Sequence, residues 1–487
     1  MKTFVQLFYL SVLVTFIFSC SSKSSNSLDN STLAYLNGNS NALVFGKIDL
    51  EGILNKTSYK EIPKMGVLIV EELKKFKGAL DLSQKINFVL EGPFEENNPK
   101  RGLLFSKIKN EDSLKNKILS MGYSLQKRGN LQFFQDKEVA LGFQDDLLVL
   151  FTQKGEYQAK TIFPEIFKSC KKDPITGKTE KILSEKGDII IGVNYENLYK
   201  SSVTGSINKE KQEEFKRMME DSYTSIQWFF ENGYAQMNIQ NLFSDAWLKR
   251  LTLTSDASGE ILKKLGKGKA NIGLSILMDT DKLQSIVDDY ASNSIDDFSN
   301  SSFEFGGLLS SFGNKPFSGI WNGKLGLVQV GDVKTDGSFI PEINFFMGLG
   351  HKGKTLIDFV KAFMPGTVQN PDGTITSNGM NFTLNEKEIS GSTKKNNSYS
   401  TLEIPNFAKG FGTKGIQFFA DFDKLDIKSL ELEDNQKFIY AIKNIHFEMD
   451  NEKGKLIING KNASQNILKQ MIDVYVDDIK DKIGHIN

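Results

Sequence analysis

Apolar and polar residues alternate along much of this 487-residue chain in short runs, and this is the period of half-buried β-strands. Two apolar runs, Leu43–Asp49 and Ile272–Asp279, end in aspartate just before an amphipathic stretch. This order predicts a strand followed by an amphipathic helix. Hairpins are predicted over Leu131–Thr152 and Ile375–Ser392. The sequence therefore predicts an α+β fold, mostly antiparallel sheet with helices packed on one face.

The alternating runs recur in the same order in both halves of the chain. Asp256–Leu265 resembles Asn462–Met471, and three alternating runs precede each copy. The expected strands are Thr224–Phe230, Tyr234–Phe243 and Trp247–Thr254 before the first copy, and Lys437–Ile442, Ile445–Asp450 and Lys455–Asn459 before the second. The chain is also longer than one hydrophobic core usually supports. We expect two tandem similar repeats, 41–268 and 269–487.

The chain opens with Lys2 and a mostly apolar run from Phe4 to Phe18, and Cys20 follows soon after. The run is shorter than the roughly 20 residues of a spanning helix, so residues 1–19 are interpreted as a cleaved signal peptide. A cysteine directly after the cut resembles the lipidation site of bacterial lipoproteins. The resemblance implies that Cys20 carries acyl chains, and two or more chains hold a protein stably on a bilayer.

Residues 20–40 are rich in Ser and Asn and contain few apolar side chains. Such segments bury too little surface to offset the entropy of ordering. We therefore expect a flexible tether over 20–40, with the folded part beginning near Asn41.

Composition excludes some partners and some chemistry. Lys and Arg number 60, and so do Asp and Glu, so no net positive charge favours a nucleic-acid partner. Cys170 is the one cysteine besides Cys20, and it is expected to be a buried, unreactive thiol. The histidines His351, His446 and His485 lack the spaced partners of a metal site. We expect neither a metal nor a cofactor.

Gly348–Thr355 fits the phosphate-loop pattern G-x-x-x-x-G-K-[ST], and a helix is expected after it over Leu356–Phe363. In a nucleotide-binding enzyme Gly348 and Gly353 would shape the loop, Lys354 would reach the phosphates and Thr355 would hold Mg²⁺. The corresponding turn of the first half, Ser106–Ser113, has no glycine. We interpret Gly348–Thr355 as an ordinary strand–turn–helix, with the nucleotide-binding enzyme as an alternative.

A hydrolase with carboxylates brought together from distant positions is a second alternative. The chain also has adjacent acidic pairs at Asp145–Asp146, Asp288–Asp289, Asp296–Asp297 and Asp477–Asp478. Their placement at turns and on helix faces favours solvated charge over catalysis.

Leu43–Asp49, the strand Trp321–Val328, and Pro341–Phe346 before a Lys-rich turn resemble the Bacteroidota lipoproteins grouped as domain-of-unknown-function family 4836. The resemblance implies an envelope lipoprotein without an assigned activity, so there is no family catalytic residue to carry over. Ser21–Ser25 lacks the acidic cluster that resembles a surface-export signal in that phylum. This favours the periplasmic side of the outer membrane and leaves the cell surface open. We expect a non-enzymatic binding or scaffolding module whose partner is an envelope protein, a peptide or a lipid.

Overall fold

The computed structural model describes residues 26–58, 78–81, 83–95, 98–137, 139–202, 211–290, 316–331, 342–355, 368–369, 374–377, 380–393, 401–425 and 434–484. Residues 1–19, Cys20 and the helix expected over Leu356–Phe363 lie outside this part of the chain.

Contacts between Cα atoms divide the chain into two compact units. Unit 1 comprises Met1–Val203, Met219–Phe243 and Ser464–Asn487, and unit 2 comprises Thr204–Met218 and Ser244–Ala463. Each unit consists of antiparallel strands and helices. The predicted α+β class is confirmed.

The described strands of unit 1 form a fully antiparallel arrangement in the order β4-β5-β6-β7-β3-β2-β1-β8-β9-β10. The strands are β1 (Ala42–Ile48), β2 (Ile86–Glu95), β3 (Asn98–Lys107), β4 (Gln126–Arg128), β5 (Leu131–Asp136), β6 (Val139–Gln144), β7 (Leu147–Gln153), β8 (Ile189–Asn194), β9 (Tyr223–Glu231) and β10 (Tyr234–Leu242). The helices are α1 (Asn26–Leu36), α2 (Leu50–Thr57), α3 (Glu111–Ser120), α4 (Ala159–Ser169), α5 (Lys178–Ser184), α6 (Tyr195–Ser202) and a C-terminal helix (Ile467–Gly484).

The described strands of unit 2 are antiparallel in the order β14-β15-β16-β17-β13-β12-β11-β19-β20-β21, and the short β18 pairs in parallel with the start of β11. The strands are β11 (Gly268–Leu277), β12 (Trp321–Val330), β13 (Glu342–Leu349), β14 (Val368–Gln369), β15 (Thr374–Ser377), β16 (Met380–Asn385), β17 (Glu388–Ser392), β18 (Leu402–Glu403), β19 (Ile416–Asp421), β20 (Ile442–Met449) and β21 (Lys453–Gly460). The helices are α7 (Gln212–Met219), which crosses the limit between the units, α8 (Asp245–Leu248), α9 (Glu260–Lys264), α10 (Thr280–Tyr290) and α11 (Pro316–Ile320). Short 3₁₀ segments occur at Asn406–Ala408, Phe422–Lys424 and Asp434–Ala441.

Strand order is the same in the two units when β18 is set aside. The aspartates that end the first strands also act alike. Asp49 Oδ1 accepts from Gly52 N (2.8 Å) at the start of α2, and Asp279 Oδ1 accepts from Lys282 N (3.0 Å) at the start of α10. These bonds satisfy amides that a helix leaves unpaired at its first turn. Superposition of the units as repeats stays a prediction.

The tether predicted over 20–40 is wrong for residues 26–36, which form helix α1. Leu28, Leu33 and Leu36 are buried in the same apolar core as Phe45 of β1. The helix is fixed at its start as well, because Lys47 Nζ lies 3.2 Å from Asp29 Oδ2. The few apolar side chains within this Ser- and Asn-rich segment are enough to order it, since burying one of them contributes about 1.5–3 kcal/mol.

The limits of the units also differ from the predicted 41–268 and 269–487. Helix α9 belongs to unit 2, where Ile261 and Leu265 are fully buried against the strand glycine Gly326. The C-terminal helix belongs to unit 1, where Ile472 packs on the core that contains Leu54 of α2. Each helix therefore packs on a sheet other than the one that precedes it in the sequence.

Two of the expected strands are wrong. Over Trp247–Thr254 the chain forms the end of α8 and then a single β-bridge from Leu253, because Ser244 Oγ caps the helix by accepting from Trp247 N. Over Lys437–Ile442 it forms a 3₁₀ segment that ends at Ala441, where β20 begins.

Phenylalanine rings pack on glycines at the centre of each sheet. Phe45 of β1 stands opposite Gly192 of β8, and a Cβ atom at 192 would lie 2.5 Å from that ring. In unit 2 the residues are exchanged: Gly273 of β11 stands opposite Phe419 of β19, and a Cβ atom at 273 would lie 2.2 Å from the Phe419 ring. Both rings are fully buried.

Helix α1 provides a test of the corrected tether. We expect Leu33→Ala, at a side chain only 4% exposed, to lower the free energy of unfolding by about 2–5 kcal/mol, because it leaves a cavity in the core. The matched control is Leu119→Ala at the end of α3, 54% exposed, which should change it by less than about 0.5 kcal/mol. Denaturant unfolding followed by circular dichroism measures both. Equal, small effects would mean that residues 26–36 are not part of the folded unit.

Candidate functional site

The phosphate-loop-like segment lies at the end of β13. This strand is antiparallel to both of its neighbours, β12 and β17. A nucleotide-binding loop instead follows a strand of a parallel sheet, with its helix packed across that sheet. Gly348 is still within the strand, while Lys354 and Thr355 are exposed in the helical turn that follows.

The backbone amides of this segment already have partners. A phosphate loop binds anions through amide N–H groups that point into its centre. Here the N–H groups donate to backbone carbonyl oxygens instead: Leu349 to Lys387 (2.7 Å), Gly350 to Ile320 (2.9 Å), Lys352 to Gly319 (2.8 Å), Gly353 to Gly350 (3.0 Å) and Thr355 to Lys352 (3.0 Å). The segment therefore presents no set of unused amides to a phosphate group.

The glycines of the segment have a packing role. A Cβ atom at Gly350 would lie 2.2 Å from the carbonyl oxygen of Ser318, and one at Gly353 would lie 2.6 Å from that of Glu386. Real Cβ atoms do not approach other atoms so closely, so any larger residue would force these chain segments apart. The glycine pattern is explained without a nucleotide.

An open groove of about 720 Å³ lies beside this segment in unit 2. Its lining brings together residues far apart in the sequence, among them Asp281, Ser318, His351, Lys354, Glu386 and Lys387. Two lysines face two carboxylates, so the lining carries no excess of positive charge of the kind that phosphate-binding sites use. This composition suits a small polar ligand whose own charges are balanced.

Ser318 is the most unusual group in the groove. Its side chain is 6% exposed, and its Oγ is buried without a hydrogen-bond partner among the described residues. A buried hydroxyl that makes no hydrogen bond costs about 1–3 kcal/mol. Sequence reasoning missed the groove because Asp281 of α10, Ser318 of α11 and Glu386 of the β16–β17 turn are far apart in the chain and share no spacing signal.

The adjacent acidic residues are bound in other interactions wherever the structure describes their side chains. The contacts are Asp145 to Lys171 (3.4 Å), Asp146 to Lys107 (3.0 Å), Asp288 to Gln284 (2.6 Å), and Asp289 to Arg250 (2.8 Å) and Lys211 (3.1 Å). Asp296, Asp297 and the side chains of Asp477 and Asp478 lie outside the described part. Each described aspartate of these pairs is therefore held by a partner of its own.

Cys170 caps the end of α4 and is buried in the core of unit 1. Burial away from water disfavours the thiolate and raises the pKa of the Cys170 thiol to about 12. Since the thiolate is the reactive form, this cysteine is chemically inert at neutral pH. Across the described residues, His, Cys, Asp and Glu form no group that could hold a metal ion.

A buried polar network in unit 1 is centred on Glu91. Glu91, 2% exposed, accepts from Tyr35 Oη and Asn39 Nδ2 at 2.6 Å each, and Arg101 Nη1 lies 3.7 Å from it. Burial, and then the charge of Glu91, raise the pKa of Tyr35. The network fastens the end of α1 to the sheet and leaves Glu91 no free oxygen directed at a cavity that the structure describes.

No protein-family model matches this chain, and no curated protein matches it. Three crystal structures of TP0453 are similar in part. Forms IV, III and I have TM-scores of 0.27, 0.28 and 0.26, at 10%, 10% and 12% identity. The matches cover 45%, 46% and 45% of this chain and 81%, 81% and 80% of that protein. Similarity this low carries no argument about function. Within the described residues, no helix has the length and apolar character needed to cross a membrane.

The loop geometry predicts the outcome of two substitutions. We expect Lys354→Ala to change the free energy of unfolding by less than about 0.5 kcal/mol, because the side chain is exposed in a turn. We expect Gly350→Ala to lower the free energy of unfolding by about 1–3 kcal/mol, because the new methyl group meets the Ser318 carbonyl.

Excess Mg-ATP should leave the melting temperature of the unsubstituted protein unchanged. A rise that disappears in Lys354→Ala would establish a nucleotide site.

The burial of Cys170 predicts slow thiol chemistry. In the protein lipidated at Cys20 it is the sole free thiol, and we expect it to react with a thiol reagent at pH 8 more than about ten-fold slower than in guanidinium. Unfolding returns the thiol to water, where its pKa is about 8.5. The rate of thiolate release from an aromatic disulfide measures this. Equal rates in the two states would contradict the burial.

Proposed function

We propose that this protein is a cell-envelope lipoprotein, anchored through Cys20, that acts as a non-enzymatic binding or scaffolding module. The observation that carries the proposal is the order of features at the start of the chain. An apolar run ends at Phe18, the lipidation-like cysteine follows, and a buried helix begins at Asn26. A folded unit attached directly behind a lipid anchor is the arrangement of a protein that works at a membrane surface.

The chemistry of the described residues supports binding over catalysis. Amides of the phosphate-loop-like segment donate to backbone carbonyls, the described residues of the acidic pairs have hydrogen-bond or ion-pair partners, and the Cys170 thiol is held uncharged. Catalytic sites need a nucleophile or base with a free approach to substrate. The nucleotide-binding enzyme and the hydrolase are therefore less well supported than the binding module.

The groove beside Gly350 is the place in unit 2 where we propose that a ligand binds. The balanced charges of its lining favour a small polar molecule that carries no large net charge of its own. Binding of this kind needs no cofactor.

The resemblance to the Bacteroidota lipoproteins of family 4836 leads us to propose the outer membrane, on its periplasmic side, as the location. The absence of acidic residues in Ser21–Ser25 supports this side over the cell surface. On that side the protein meets phospholipid headgroups and other envelope proteins.

The anchor is tested by separating lipidation from membrane attachment. We expect Cys20→Ala to abolish incorporation of labelled palmitate, because Cys20 is the residue to which the acyl chains are proposed to attach. Cys170→Ala is the matched control and should incorporate label normally. When Cys20→Ala is combined with a signal peptide whose cleavage needs no lipid, the protein should leave the membrane fraction. Label that persists in Cys20→Ala, or full retention after a carbonate wash, would overturn the anchor.

A further inference from the structure

The connection between the proposed anchor and unit 1 is short. Five residues separate Cys20 from Asn26, and six Cα-to-Cα steps span at most about 22 Å even when fully extended. Asn26 is the first residue of α1, which is packed into the core through Leu28 and Leu33. An acylated Cys20 therefore holds the start of α1 close to the membrane surface.

The start of α1 lies at a defined end of the sheet. Asp29 contacts Lys47 at 3.2 Å and accepts a hydrogen bond from Asn87 Nδ2 at 2.9 Å. Lys47 is near the end of β1 and Asn87 near the start of β2. We name this the anchored end of unit 1.

Antiparallel pairing determines which other residues share the anchored end. Neighbouring strands reverse direction, so the ends of β3, β6 and β4 and the starts of β7 and β5 lie there too. Arg128 is the last residue of β4, Leu131 the first of β5 and Gln144 the last of β6.

These residues form one side of a cleft of about 320 Å³, and helix α4 and the residues after it form the other. The lining has an apolar floor and a cationic rim. The floor consists of Leu131, Pro164 and Phe167, and the rim of Arg128, Lys168 and Lys171. Asp145 lies 3.4 Å from Lys171, and no carboxylate is among the lining residues that the structure describes.

We propose that the anchored end of unit 1 rests on the bilayer and that this cleft receives the headgroup of an anionic phospholipid. The inference rests on the proposed anchor at Cys20. Arg128 and Lys168, with Lys171 beside Asp145, give the rim a net positive charge that complements a phosphate, and the apolar floor suits the glycerol and the first methylenes of the lipid. Attraction to an anionic surface falls off within about 10 Å, so it acts only on cations that the anchor holds near the membrane.

The test uses the lipidated mature protein, reconstituted into vesicles of phosphatidylcholine alone or of equal parts phosphatidylcholine and phosphatidylglycerol. Acylation of exposed amines by a membrane-impermeant reagent is followed at each lysine by mass spectrometry. We expect Lys168 and Lys171 to react at least several-fold more slowly on the anionic vesicles. Lys154, exposed just after the opposite end of β7, is the internal control and should react equally on both.

Substitutions identify the cleft as the cause. Arg128→Gln should reduce the protection of Lys168, because it removes one of the three cations while leaving the fold intact at an exposed position. Lys154→Gln is the matched control and should leave that protection unchanged. Equal reactivity of Lys168 on both kinds of vesicle would overturn the inference, and so would protection by inorganic phosphate on neutral vesicles, because the cleft would then bind free anions.

The same preparation separates this inference from the anchor. Protein that fails to sediment with either kind of vesicle would overturn the proposed anchor itself. Protein that sediments with both kinds but shows no headgroup-dependent protection would overturn only the membrane contact of the cleft.

Discussion

A phenylalanine ring packed on a glycine of the adjacent strand is the contact on which the centre of each sheet depends. Phe45 and Gly192 in unit 1, and Phe419 and Gly273 in unit 2, stand directly opposite each other between the same two strands of the common order. Because side chains alternate between the faces of a sheet, a slip of one residue would move each ring to the wrong face. The ring therefore fixes the register of the central pair of strands.

Much of the sheet could be predicted from the sequence. Alternation of apolar and polar residues predicted β1, β9, β10, β20 and β21 to within a few residues, and the amphipathic stretches after the two aspartates predicted α2 and α10. The errors arose where local chemistry is ambiguous. Trp247–Thr254 alternates as a strand does, but the hydroxyl of Ser244 starts a helix there. The α1 segment is polar on average, and this composition predicted a flexible tether. A few apolar side chains at core-facing positions are nevertheless enough to order it.

The site was harder to predict, because its partners come from distant parts of the chain. The pattern Gly348–Thr355 is visible in the sequence, yet three of its amides donate to carbonyls outside it, those of Gly319, Ile320 and Lys387. Gly350 and Gly353 are likewise required because the carbonyls of Ser318 and Glu386 leave no room for a side chain. The spacing of a motif identifies the residues that donate in each contact. The residues that accept are brought to the motif by the tertiary fold and have no fixed spacing from it. The groove that contains Ser318 has no motif for the same reason.

Helix α1 changes what an anchored protein of this kind can reach. A flexible tether of about 20 residues would let the folded part move tens of ångströms from its attachment point. Because helix α1 begins six positions after the proposed anchor, each contact of unit 1 with the same bilayer becomes an intramolecular event. Its effective concentration is set by a short linker and is then in the millimolar range. Contacts between the anchored end of unit 1 and the bilayer can thus form most of the time even when each is weak. Partners beyond the reach of the folded units must themselves approach the membrane.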